Sequence, residues 1–444
     1  MTKEIQHKGF DYIYFMTTNR CNLKCEYCYE SIRKGDATEE IGKQSIDWFR
    51  GQENIAENPG RWKNITFFGG EPLLKPKLIK SMIDYAVHHE DPIDKFSILT
   101  NGTLWNKDVE ETVRYMKENS DHCNLQISLD GGKESHDRYR VFPDGSGSFD
   151  TVVENISKFK NIIENISIRQ TVCPENVQNM SKDFQLMCEL AGEGSNVSLT
   201  PIVEGDWNDD VIKVYAEEMG KVLDIYSNID KKIFFNLLYN MKERNCYAHK
   251  RQKRGCSAGQ KLACVNPQGD IYPCHRFASY KDIVDTKIGD VWSGVDFTNE
   301  YLVKIRDAFG NVKKCNGCKA MVCNACMATN LALGEGLEFR PPEGYCQTAL
   351  SIHDKLEKTT LEFLRANKMV LRYKELYKTD IGGFFRMDKN TNLEYVDDMD
   401  LFAKSFVEIF KKLSDLKTDT TLIKKELGLP LGNEGVKKDE NPVC

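Results

Sequence analysis

The sequence has no excess of positive charge, no long apolar run and no internal repeat, and each absence narrows what the chain does. Its 61 Lys and Arg stand against 67 Asp and Glu, a net charge of −6 at pH 7. It therefore lacks the positive field that gathers a phosphate backbone, and no nucleic-acid partner is expected. No stretch approaches the roughly 18 apolar residues of a membrane span, so no membrane partner is expected either. The first residues, MTKEIQHKGFDYIYF, lack the basic start, apolar stretch and small-residue cleavage site of a secretory signal, which makes the expected location cytoplasmic. What is present is ample core material: 40% hydrophobic and 10% aromatic residues over 444 positions. That length corresponds to about three domains or one large barrel with appendages.

Cysteine is the residue in excess, with sixteen copies. In a reducing compartment these are poor candidates for disulfides, which leaves metal binding or catalysis. From Asp11 to Glu204 short β-rich runs alternate with amphipathic stretches, the pattern of βα units around a parallel sheet. Strands are expected over Tyr12–Thr17, Asn64–Phe68, Phe96–Thr100, Leu125–Leu129, Ile166–Val172 and Val197–Val203. Helices are expected over Ile41–Gln52, Lys77–His89, Lys107–Asn119 and Phe149–Ile163. The fold class is α/β, an open partial barrel over 1–208, with sites at the carboxyl ends of its strands. A helical linker (209–245), a cysteine-rich region (246–350), a helical C-terminal region (351–430) and a disordered tail (431–444) complete the expected division. The cysteine-rich region has too little apolar periodicity for a large core, so bound metal is expected to organise it.

Cys21, Cys25 and Cys28 form C-x3-C-x2-C directly after the first strand. A cubane iron–sulfur cluster takes one thiolate per iron, so three close cysteines leave one iron open to another ligand. The alternatives are an incomplete zinc site or three buried thiols. Gly69-Gly70-Glu71-Pro72 ends the second strand, Thr100-Asn101-Gly102 the third, and Ser128-Leu129-Asp130-Gly131 the fourth. Paired glycines admit close backbone approach to a small molecule, and Ser128 and Asp130 are polar groups suited to ribose hydroxyls. Further on stand Cys256, Cys264, Cys274, Cys315, Cys318, Cys323, Cys326 and Cys346, enough for two four-thiolate sites. Spacing alone leaves zinc and iron–sulfur open for these eight. VNPQGDIYP, between Cys264 and Cys274, carries a turn signature between β-prone residues, and a hairpin with a ligand at each end is expected.

In this order, C-x3-C-x-Y-C, GGEP, TNG and SLDG resemble the radical S-adenosylmethionine (SAM) superfamily, and the resemblance covers most of residues 11–204. It implies a partial (β/α)6 TIM-type barrel and a [4Fe-4S] cluster whose open iron is chelated by SAM. One electron would then cleave SAM to methionine and a 5′-deoxyadenosyl radical that abstracts a substrate hydrogen. By motif it implies that Tyr27 lies against the adenine, that Gly69, Gly70 and Glu71 meet the methionyl amino group, and that Ser128 and Asp130 serve the ribose. Asn101 belongs to the same SAM-binding set, as do Arg140, within HDRYR, and Ile202.

The later array resembles the SPASM domain, a small α+β extension with auxiliary clusters found on radical SAM enzymes that modify peptides and proteins. The resemblance implies one [4Fe-4S] cluster on Cys256, Cys264, Cys274 and Cys326 and another on Cys315, Cys318, Cys323 and Cys346, three clusters in all. The usual C-x2-C-x5-C-x3-C run is here C-x2-C-x4-C-x2-C.

Among such enzymes, anaerobic sulfatase-maturating enzymes, which oxidise a protein Cys or Ser to formylglycine, carry an Asp directly after the third auxiliary cysteine. Here His275 holds that position, where an imidazole is either a proton acceptor or a hydrogen-bonding neighbour of the cluster. SLDGGKESHDRYR followed by GSFDTVVENI is more similar to oxidoreductases that mature ribosomally made, often Cys-rich peptides through sulfur-to-carbon thioether bonds. The resemblance implies a peptide or protein substrate and an electron donor such as flavodoxin or ferredoxin. Only 20 residues precede Cys21, so an N-terminal leader-binding domain is not expected. A non-enzymatic zinc or electron-transfer protein would explain the cysteines, but not GGEP and SLDG at strand ends. Cys123, Cys173, Cys188, Cys246 and Cys444 have no ligand-like spacing.

Overall fold

A computed structural model describes residues 9–30, 35–52, 63–202, 204–229, 233–235, 256–280, 285–311, 326–333, 385–387 and 393–395. Two compact units divide it, one spanning Met1–Leu223 with Ile233–Lys358, the other Asp224–Lys232 with Thr359–Cys444.

The first unit is built on six parallel strands, β1 (Tyr12–Thr18), β2 (Asn64–Gly69), β3 (Lys95–Thr100), β4 (His122–Ser128), β5 (Ser167–Val172) and β6 (Asn196–Pro201). They stand side by side in chain order, as the alternating βα pattern predicts. Four helices fall between them where amphipathic stretches are expected: α1 (Glu39–Arg50), α2 (Pro76–Val87), α3 (Lys107–Glu118) and, after the short α4 (Lys133–Asp137), α5 (Phe149–Lys160). Local chemistry sets their starts. Thr38 caps α1 by accepting from the Ile41 amide, and Asn106 caps α3 by accepting from Val109. Ile46, Phe49, Ile79, Met82, Val109, Val113 and Ile156 turn inward against Ile65, Phe67, Phe96, Ile98, Leu125 and Ile127, all at most 1% exposed. Buried on their outer faces by helices, the strands read as nearly continuous apolar runs.

The sheet extends beyond these six. Within the predicted linker helix, α7 covers Asp209–Asn228, following α6 (Met180–Ala191), and Phe234–Phe235 forms a seventh parallel strand, β7, against Asn196 and Val197. Buried Ile233 and Phe235 favour that pairing over further helix. On the other edge β8 (Leu262–Val265) pairs in parallel with β1, placing Cys264 opposite Tyr14. It turns through the predicted hairpin into antiparallel β9 (Asp270–Tyr272), followed by β10 (Gly289–Asp290) and β11 (Gly294–Val295). The strand order is linear, so the barrel is open.

Most of the predicted C-terminal helical region and the tail lie outside the described residues. Within that region the second unit shows instead a two-stranded antiparallel pair, Phe385–Met387 with Leu393–Tyr395. Among the described residues no helix is long and apolar enough to cross a membrane.

Candidate SAM and auxiliary cluster sites

The loop after β1 carries Cys21, Cys25 and Cys28, and the ends of β2 and β3 hold it in place. The Gly70 amide donates to the Thr18 carbonyl and the Glu71 amide to the Arg20 carbonyl, both at 2.9 Å. Gly69 has φ +136°, and a Cβ at either glycine would run into the carbonyl of Thr18 or of Arg20. The glycine pair thus lets the cysteine loop itself approach, a use of the motif beyond the expected approach of a ligand. Asn101 donates through Nδ2 to Cys21 Sγ at 3.7 Å and to Asn22 Oδ1 at 2.9 Å, while the Leu23 amide donates to Cys21 Sγ.

The Glu71 carboxylate is fully buried and accepts from the Leu73 amide, Thr100 Oγ1 and the Asn101 amide. Burial pushes its pKa up to about 7, against these three bonds. Its side chain locks the ends of β2 and β3 together, which leaves backbone at 69–71 as the polar surface offered to a ligand.

Asp130, at the end of β4, is likewise saturated. Its Oδ2 accepts from Tyr27 OH and from Arg140 Nε at 2.9 Å, and its Oδ1 accepts from the Thr171 amide. The carboxylate is 0% exposed, so it orients Tyr27 and Arg140, and Ser128 remains the half-buried polar group of that motif. The Arg140 guanidinium lies 5.3 Å from the Tyr27 ring centroid and hydrogen-bonds the Cys25 side chain. Ile202 sits at the end of β6 with its amide on the Val172 carbonyl.

Sequence reasoning missed the hub beneath this arrangement. His136 is fully buried, accepts the Asp130 amide at Nδ1, and meets Ser148 Oγ with Nε2 at 2.9 Å. Ser148 in turn donates to the Arg140 carbonyl, so the proton of the neutral ring is assigned to Nε2. Burial lowers the His136 pKa from 6.5 to about 4. The unfolded chain therefore takes a proton first, and stability present above pH 6.5 drains away as pH falls toward 4, by on the order of 3 kcal/mol. His136→Gln should narrow its stability gap to the parent chain by that amount between pH 7.5 and 4. A gap independent of pH in denaturant melts would contradict the assignment. No signal in the sequence singles out this histidine from others in HDRYR-type loops.

Burial raises the thiol pKa of Cys21 to about 12 and of Cys28 to about 11. Thiolates at these positions need a compensating positive centre, which iron would supply. Four of the later cysteines also come together. Cys264 and Cys274 are buried in one cluster with Met16, Tyr272 and Ile305, and Cys256 and Cys326 pack against it. Cys274 precedes the short helix His275–Ser279 and receives the amides of Arg276 and Phe277 on its sulfur. Among the described residues no three His, Cys, Asp or Glu side chains gather tightly enough to hold a single metal ion. The fit to a larger group rests on the donor set, all thiols, at buried positions where burial disfavours the uncompensated thiolate. Cys315, Cys318, Cys323 and Cys346 lie outside the described residues.

His275 lies between these two sets of cysteines. Its ring is 4.6 Å from that of Tyr14, 4.9 Å from Phe68 and 6.1 Å from Tyr29, the residue after Cys28. Nδ1 is buried without a hydrogen-bond partner in the structure. Burial, with the positive charges of Arg276 and Arg169, depresses its pKa to about 3. The ring is neutral at physiological pH, with Nδ1 as its unpartnered nitrogen. Arg169, exposed in the middle of β5 between buried Ile168 and Gln170, is a further residue that sequence reading did not single out.

Comparison with known proteins agrees with this geometry. The family model described as the radical SAM superfamily matches residues 15–187, and that of an iron–sulfur cluster-binding SPASM domain matches 256–319. The chain belongs to the radical SAM superfamily and carries a SPASM domain. This radical SAM enzyme is 25% identical over 357 residues to the AdoMet-dependent heme synthase of Methanosarcina barkeri, covering 74% of the chain and 94% of that protein. It is 25% identical to the mycofactocin maturase MftC of Mycolicibacterium smegmatis, covering 73% and 80%. In fold it is similar to anSMEcpe with bound AdoMet and Cp18Cys peptide, with a TM-score of 0.62, 18% identity, and 79% and 98% of the two chains covered. The family implies [4Fe-4S] clusters and SAM.

Proposed function

We propose that this radical SAM/SPASM enzyme is a maturase of a ribosomally made, Cys-rich peptide, forming sulfur-to-carbon thioether crosslinks. The observation that carries the reading is the approach of two rings, each next in sequence to a cysteine of one set. Tyr29, next to Cys28, and His275, next to Cys274, face each other, so a substrate held there lies beside both. Support also comes from the maturase among the relatives and from a structure of like fold holding a peptide.

In this reading Cys21, Cys25 and Cys28 hold the SAM-binding cluster, and Cys256, Cys264, Cys274 and Cys326 hold an auxiliary one. Cys315, Cys318, Cys323 and Cys346 hold a third. When bound, reduced cluster and SAM supply a 5′-deoxyadenosyl radical able to take hydrogen from carbon. The protein's own part is placement. Ser128, the backbone of Gly69–Glu71 and the Tyr27–Arg140 layer border the SAM site, while Tyr14, Phe68, Tyr29 and His275 wall the interior with rings that exclude water. Arg169 offers a donor fork to a peptide carbonyl or carboxylate from the opposite strand. Electrons would come from an external donor such as flavodoxin or ferredoxin.

The test is mass spectrometry, after thiol alkylation, of a Cys-rich candidate peptide co-expressed anaerobically with the chain. Loss of two hydrogens per site with loss of an alkylatable thiol is expected. Conversion of a sulfatase-type Cys or Ser to an aldehyde, with the Cys-rich peptide unchanged, would replace this reading by formylglycine formation. Cys274→Ala should retain 5′-deoxyadenosine formation within about tenfold and lose product at least about a hundredfold; undiminished product would remove the auxiliary site from the reaction.

A further inference from the structure

Arg276 follows the auxiliary cysteine Cys274 by two residues, and its side chain is 18% exposed. Nη1 donates to Glu204 Oε1 at 2.7 Å, to Thr329 Oγ1 at 2.7 Å and to Tyr280 OH at 3.2 Å. Tyr280 OH also donates to Glu204 Oε1, so the carboxylate, from the segment after β6, is held by two groups of the SPASM region. Thr329 lies one helical turn beyond Cys326, whose carbonyl accepts the Asn330 amide at the start of the helix Met327–Leu333. On its other side the guanidinium lies 4.0 Å from the centroid of the Tyr29 ring, the residue after Cys28. One cation therefore stands between Tyr29, the neighbour of Cys28, and Thr329, one helical turn beyond Cys326.

A buried guanidinium is costly unless charge nearby compensates it. Here the Glu204 carboxylate at 2.7 Å compensates it, with the Tyr280 and Thr329 hydroxyls and the Tyr29 ring face beside it. Glu204 is 25% exposed and is not part of the cysteines' shared core. Nη1 carries all three of these bonds while the guanidinium lies over the Tyr29 ring, a ring contact that a lysine ammonium would not reproduce in plane.

We infer that Arg276, held in place by Glu204, sets the reduction potential of the cluster bound at Cys256, Cys264, Cys274 and Cys326. The inference rests on the cluster-binding reading of those four thiols. Reduction adds negative charge to an already anionic site, and a fixed cation beside one thiolate favours the reduced form. Arg276 is a positioning and tuning residue that touches neither SAM nor a reacting atom. Its removal should make the auxiliary cluster harder to reduce, and removal of the Glu204 charge should make it easier.

The experiment is a potentiometric titration followed by electron paramagnetic resonance on the full chain reconstituted with iron and sulfide. Cys21, Cys25 and Cys28 are replaced by alanine so that the SAM-site cluster does not contribute, and Cys318 and Cys346 so that the cluster read at Cys315, Cys318, Cys323 and Cys346 does not either. Arg276→Gln is expected to shift the reduction equilibrium at least tenfold toward the oxidised form, 59 mV for a one-electron couple. Glu204→Gln should shift it toward the reduced form, and Arg276→Lys should lie nearer the parent. Opposite signs at equal iron content cannot come from general loosening. Unmoved potentials in loaded Arg276→Gln, or shifts of the same sign in both variants, would overturn the inference. If Arg276→Gln does not load, Glu204→Gln and Arg276→Lys decide the sign. Absence of a cluster at these four thiols in the parent chain would instead defeat the cluster-binding reading itself.

Discussion

Cys25→Ala is expected to abolish reductive cleavage of SAM, lowering 5′-deoxyadenosine formation at least about a thousandfold, ~4 kcal/mol of barrier. The fold should persist. The loop around Cys25 is strapped by backbone bonds that do not involve the thiol, Lys24 N to the Val141 carbonyl at 2.8 Å and Glu26 N to the Tyr139 carbonyl at 3.1 Å. Beneath it Asp130 keeps Arg140, Tyr27 and the Thr171 amide. What is lost is one of three thiols, and a cluster with two protein ligands is neither held nor positioned. Anaerobic turnover with dithionite, quantified by chromatography, reads the effect, and a thermal melt checks the fold. Cys123→Ala, at the start of β4 and outside both cysteine sets, should turn over SAM like the parent. Survival of cleavage in Cys25→Ala would sink the assigned site.

Gly70→Ala should impair the same site by a different route and to a smaller extent. The added Cβ would meet the Arg20 carbonyl, which is backbone and cannot rotate aside. Either the β2 end or the cysteine loop must move, at a cost of about 1–3 kcal/mol for such overpacking. The bond from the Glu71 amide to that same carbonyl is then strained, and Cys21 follows one residue later. Iron bound at the first site should fall severalfold, with SAM cleavage falling in proportion and the unfolding midpoint lower by a few degrees. Gly220→Ala supplies the contrast. It lies in α7 with nothing within 4 Å of the new methyl, and exchanging a helical glycine for alanine should stabilise by about 0.5–1 kcal/mol. Full iron content in Gly70→Ala would show that the loop does not depend on the close approach.

Much of this was readable in the chain. The six strands and four intervening helices announce themselves through local periodicity, and motif order places Cys21, Gly69, Asn101 and Ser128 at neighbouring strand ends. The grouping of Cys326 with Cys256, Cys264 and Cys274, implied by resemblance, appears in the packing. What stayed hidden depends on distant partners. Whether Glu71 and Asp130 face a ligand or the protein is decided by Thr100, Asn101, Tyr27, Arg140 and Thr171, contacts of 10 to 103 residues' separation for the side-chain donors. The acidity of His275 hinges on the rings of Tyr14 and Phe68 and on two arginines. The linker's short strand followed from tertiary burial of Ile233 and Phe235, which overrides the local helical pattern.

The pairing of β8 with β1 has a mechanical consequence. Residue for residue, Tyr12 to Phe15 align with Leu262 to Val265, so one strand carries the SAM cysteine loop at its end and gauges the position of Cys264 along its length. The offset of Cys264 from the first cysteine loop is thereby written in ladder rungs of about 3.3 Å. A single-residue deletion in Leu262–Val265 cannot be absorbed as a small adjustment: it slips the ladder by one rung and turns Cys264 to the opposite face of the sheet. Around Cys264, the other β8 residues Leu262, Ala263 and Val265 therefore tolerate substitution far better than any change in their number.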